Sequence, residues 1–150
     1  MLLFTALVFN FNDNRASVLP RGVVVLSGHA ILNNTPQQNK PETGKELYQK
    51  YCLTCHQNDG GGVPYTFPSL IKSEWVNGDK TRLIRILLNG LEGDITVGED
   101  TFNAVMPKLN NLTDIQIATV LTFLRQNFEN NSAAINPAEV KALRATSKTK

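Results

Sequence analysis

The chain has 150 residues, enough for one compact domain with a modest core, and its 15 Lys and Arg against 13 Asp and Glu leave a formal charge of +2. So small a charge, without interleaved basic and aromatic residues, argues against nucleic-acid binding. No apolar run approaches the roughly 18 residues needed to cross a bilayer. There is no Ser/His/Asp set, no paired-carboxylate motif and no phosphate-cradling loop beyond a lone triple glycine at residues 60–62.

Residues 1–39 read as an export signal followed by a flexible linker. The apolar run at residues 2–9 resembles the core of a signal peptide, although no positive charge precedes it. A second candidate starts at Arg21 and passes through the valines of residues 23–25 to Gly28, His29 and Ala30. A short strand pair, or a remnant of a longer fused chain, is the competing reading. His29 is incidental in either case. Residues 33–40, rich in Asn, Gln, Thr and Pro, form the linker.

A domain over residues 40–131 follows. Thr43 with Glu46 makes a capping box for a helix running to about residue 55. Residues 60–67 are loop, and 68–71 form a short helical turn. Asp79 caps a second helix through Leu83, Ile84, Leu87 and Leu88, which Asn89 and Gly90 stop. Residues 95–102 alternate around a glycine and form a small hairpin. Thr113 with Gln116 is another capping box, and Ile117, Val120, Leu121, Leu124 and Phe128 follow at helical spacing, a face suited to packing across the first helix. Residues 132–150 are a basic tail in which Asn136 and Pro137 open a last helix to about residue 145. Charge is uneven: residues 40–135 carry a formal −2 and residues 136–150 a formal +3. That tail is suited to steering an acidic partner, and equally reads as a solvated end.

Both cysteines lie in one stretch, Cys52, Leu53, Thr54, Cys55 and His56. Cys-x-x-Cys-His is the attachment signature of c-type haem. Two thiols at that spacing can each add to one porphyrin vinyl group, and the imidazole that follows is held beneath the iron. Zinc would require two further ligands with spacing of their own. A thioredoxin-like dithiol, the alternative that stays open, would want a strand before it and a helix after it. Here a helix precedes the motif and glycines follow. For the second axial position the candidate is Met106, because Pro107 biases it towards an extended conformation that presents sulfur to a flat face. A lone methionine filling core space is the alternative.

On these residues the chain resembles the monohaem class I cytochromes c, from about residue 40 to 130. Gly44 and Tyr48 match the small and aromatic residues which that family packs against its last core helix. The resemblance implies an all-α fold of four to five helices around one covalent haem c held by Cys52 and Cys55, with His56 and Met106 on the iron. It implies that Pro68 offers its carbonyl to the ring N–H of His56. Residues 73–79 and 120–125 resemble a narrower group, bacterial domains that serve quinoprotein dehydrogenases or are fused to copper nitrite reductases, and there Trp75 lies near a haem propionate. The family implies an electron carrier rather than an enzyme, assembled outside the bacterial cytoplasmic membrane, with donor and acceptor among dehydrogenases, reductases or oxidases. Its rivals are a haem subunit of a larger oxidoreductase and a ligand-binding or peroxidatic haem protein.

Overall fold

The computed structural model describes residues 40–147; the export segment and His29 expected at residues 1–39, and residues 148–150 of the tail, lie outside it. Six helical segments and one hairpin follow in the order α1 (Gly44–Tyr51), α2 (Leu53–His56), α3 (Glu74–Asn77), α4 (Lys80–Asn89), β1 (Ile95–Val97), β2 (Asp100–Phe102), α5 (Asp114–Gln126) and α6 (Pro137–Ser147). The strands pair antiparallel, Ile95 opposite Phe102.

Helix starts fall where the caps lie. Thr43 Oγ1 accepts from the Glu46 amide and Glu46 Oε2 accepts from the Thr43 amide, so two orphan donors of α1 are satisfied together. Thr113 and Gln116 repeat the arrangement on α5, and both carboxylate oxygens of Asp79 accept amides of the first turn of α4.

The centre of the core is the crossing of α1 and α5. Leu47, Ile117 and Leu121 are completely buried there. Gly44 lets the two backbones meet: a Cβ at that position would stand 2.9 Å from the Thr119 carbonyl oxygen. One turn on, the Tyr48 ring lies 5.8 Å from Phe123 and 5.0 Å from Phe128, within aromatic contact range. The Tyr48 hydroxyl donates to the Gln57 carbonyl, and burial pushes its pKa up to about 12.

Three local expectations need correcting. The first helix is jointed rather than continuous to residue 55: α1 ends at Tyr51, and Cys52, with φ −118°, links it to α2. The helical turn expected at residues 68–71 forms instead at α3, because the Ser73 hydroxyl accepts the Trp75 amide and caps it there. Phe128 is not on α5. The helix stops at Gln126, Asn127 is extended, and Phe128 turns into the left-handed region with φ 53°, folding its ring onto Tyr48 and Phe123.

Beyond α5, the chain returns as α6 across α4 and α5. Ile135 and Val140 are buried on the returning segment. Arg125, 4% exposed, donates to the carbonyls of Val76, Gly78 and Ala133 and so ties α3 to the connection before α6. Asn130, Asn77 and Ser132 extend the network, and no buried side-chain polar atom lacks a partner among the described residues.

Candidate functional site

The jointed helix sets the geometry of the cysteine motif. The His56 amide donates to the Cys52 carbonyl and that of Gln57 to Leu53, so Cys52 and Cys55 lie one turn apart on one face. The thiols are not joined to one another. Burial, with Cys55 adding to it, pushes the Cys52 thiol up to about 12. A redox dithiol works through a lowered thiol pKa, and burial moves Cys52 in the opposite direction. Among the described residues no three His, Cys, Asp or Glu side chains come together as a metal cluster.

After the motif the chain curls back beneath the imidazole. The Gly62 amide donates to the His56 carbonyl and the Leu70 amide to the Gly60 carbonyl, and this brings Pro68 within reach. Its carbonyl oxygen lies 3.0 Å from His56 Nδ1. A carbonyl can only accept, so Nδ1 carries the proton and Nε2 keeps its lone pair. Burial holds the His56 pKa below its ordinary value, with the Pro68 contact acting the other way. The ring is therefore neutral at pH 7, the state a metal ligand requires.

Met106 is positioned by different means. Its amide donates to the Leu91 carbonyl at 2.8 Å and its carbonyl accepts the Leu91 amide at 3.0 Å, an isolated antiparallel bridge. The Leu109 amide then donates to the Leu87 carbonyl at 2.7 Å. Gly90, with φ +78°, makes the turn out of α4, and a Cβ there would stand 2.7 Å from the Met106 carbonyl oxygen. Only glycine combines that φ with that approach.

Cys52, His56, Pro68 and Met106 all line a cavity of about 670 Å³, counting its mouth. An adjoining cavity of about 650 Å³ shares those four residues and adds Cys55. Apolar side chains dominate the walls, among them Leu83 and Leu87 of α4, Ile95 of β1 and Leu124 of α5. The donor set fits haem c: two thiols on one helical face, a neutral imidazole with its tautomer fixed, a thioether on a separate segment, and an apolar slot between them.

Trp75 also lines the first of these cavities. Its indole N–H donates to the Thr96 carbonyl at 2.8 Å, and the Arg82 guanidinium stacks 4.4 Å from its ring. The indole nitrogen is thereby engaged with the hairpin. Leu91 and Gly90, which hold Met106, and Arg82 and Thr96, which hold Trp75, escaped the reading of the sequence. Asn89 and Gly90 gave a helix stop, but nothing local says that the stop exists to dock a segment fifteen residues on.

The cytochrome c family model matches residues 41–128. The cytochrome c subunit of a quinone alcohol dehydrogenase from Gluconobacter oxydans is 34% identical over 121 residues, 78% of this chain and 24% of that protein. Cytochrome c-552 of Thermus thermophilus is 38% identical over 85 residues, 54% of this chain and 64% of that protein. The fructose dehydrogenase cytochrome subunit of Gluconobacter japonicus is 32% identical over 131 residues, 81% of this chain and 27% of that protein. The chain thus spans about a quarter of the length of the dehydrogenase subunits it matches.

Proposed function

The chain belongs to the cytochrome c family, and from that premise we propose that His56 and Met106 would both ligate the iron of its haem and that the protein is an electron carrier without catalysis of its own. It is a c-type cytochrome with one haem c on Cys52 and Cys55. When bound, haem supplies an iron that accepts and releases a single electron. The reading of the ligands rests on one observation: His56, with its tautomer set by Pro68, and Met106, pinned by Leu91, line the same apolar cavity.

The residues divide the work. Cys52 and Cys55 hold the cofactor through thioether links. Pro68 accepts the His56 N–H, which orients the ring and strengthens it as a donor. Met106 sulfur favours the reduced state and raises the potential. Leu83, Leu87 and Leu124 keep water out, and Trp75 closes the slot beside them. Val105, 66% exposed on the rim of the adjoining cavity, offers a partner an apolar contact. Such a contact is small enough for rapid release.

Residues 40–131 form the haem domain, 132–150 an appended helix and tail, and 1–39 an export segment and linker. Haem attachment then takes place outside the bacterial cytoplasmic membrane. The similarity to dehydrogenase cytochrome subunits supports a dehydrogenase as donor, met either in solution or within a complex. Co-purification with a catalytic subunit from the native host distinguishes these two.

Replacing Met106 by Ala tests the ligand set. Covalent haem remains, the sulfur-to-iron absorption band of the oxidised protein disappears, the potential falls, and the reduced variant binds carbon monoxide. Wild-type protein that already binds carbon monoxide rapidly would make this a ligand-binding haem protein instead.

A further inference from the structure

We infer that α6 braces the segment carrying Met106, and that Arg144 is the positioning residue through which it acts; this rests on Met106 being the distal ligand. Three nitrogens of the Arg144 guanidinium are committed to one short corner. Nε donates to Asp114 Oδ1 at 2.6 Å, Nη1 to the Asn110 carbonyl at 2.8 Å, and Nη2 to the Leu112 carbonyl at 2.7 Å. That corner joins the Met106 segment to the start of α5. The Arg144 side chain is only 21% exposed, and its rigid planar fork aims donors at two carbonyls and a carboxylate at once, where an ammonium offers only a single point of charge.

The brace has a footing of its own. Val140 is fully buried against the core, Thr122 Oγ1 accepts the Ile135 amide, and at the start of α6 Asn136 Oδ1 accepts the Ala138 amide while Glu139 Oε2 accepts the Asn136 amide. None of these contacts involves the Met106 segment. Among the described residues, the chain between Met106 and α5 has otherwise one bond back to α4, from the Leu109 amide to the Leu87 carbonyl, and the buried side chain of Leu112. An arginine near the far end of the chain therefore limits how far the sulfur can swing from the slot. Arg144 lies beyond residue 128, where the family match ends.

The test uses the full-length holoprotein and exogenous imidazole, which competes with the sulfur for the iron. Arg144→Met keeps the aliphatic stem and removes all three bonds. Losing two charge-assisted bonds to carbonyls predicts imidazole binding about tenfold tighter than in wild type. Amide exchange at Leu109 and Leu112 accelerates, while covalent haem and the exchange of His56 stay unchanged. Arg144→Lys, which disturbs folding less, shows the same effects in smaller degree. Wild-type imidazole affinity in both variants overturns the brace, even with a lowered unfolding midpoint, provided Met106→Ala binds imidazole tightly. If Met106→Ala itself binds imidazole no more tightly than wild type, the distal ligand is misassigned and the brace falls with it.

Discussion

His56 and Met106 face the same cavity from segments built on opposite principles. The histidine ends a capped, jointed helix, and its ring is fixed by a carbonyl twelve residues on, across a loop that curls directly back. The methionine lies in an extended stretch with no regular element of its own, held by a bridge to Leu91, a glycine that tolerates its carbonyl, and a guanidinium from α6. One wall is a local structure and the other a meeting of distant segments. The first should withstand changes elsewhere, and the second should respond to them.

The largest expected effect breaks the local wall outright. Replacing Cys52 and Cys55 together by Ser removes both attachment points, and acidified organic solvent should then extract all pigment, leaving a chain with the mass of the bare polypeptide. Each single variant should retain haem on one link. Retention of covalent haem by the double variant would sever the motif from the cofactor.

Next come two glycines, one supporting each side. Gly90→Ala forces a Cβ against the Met106 carbonyl at a positive φ, for a loss of about 2 kcal/mol. Gly44→Ala drives a Cβ into the Thr119 carbonyl at the crossing of α1 and α5, for a loss of about 1–3 kcal/mol. Denaturant titration should find the two losses comparable. The absorption band of the sulfur should shift in the first variant and hold in the second. Equal spectral changes would deny that the walls differ.

Much of this was legible in the sequence, unequally. Caps at Thr43, Asp79 and Thr113, the hairpin at residues 95–102 and the cysteine motif are local codes, and each formed where its residues lay. Pro68 and Met106 came from a family resemblance and from a proline's effect on its neighbour. What stayed hidden is tertiary. Phe128 kept helical spacing yet left the helix, because a left-handed turn at residues 128 and 129 sends its ring back over Tyr48. Leu91, Arg125 and Arg144 act on backbone carbonyls, and carbonyls carry no signature of which side chain will reach them.

The smallest effect concerns acid. The Thr43 amide, hydrogen-bonded to Glu46, holds that carboxyl below its ordinary value of 4.5. A depressed folded pKa contributes stability that is present above the unfolded value and lost as pH falls through the folded one. Glu46→Gln, which can still accept the bond, should therefore flatten the decline of the unfolding midpoint below pH 4.5, leaving the spectrum at neutral pH untouched. A spectral change would show that the cap of α1 reaches the cavity.

X-ray absorption at the iron edge of the oxidised holoprotein tests the axial pair most directly. A sulfur neighbour in the wild type, replaced by a light atom in Met106→Ala, is the predicted result. Iron without sulfur in the wild type, or with sulfur still present in the variant, would contradict it.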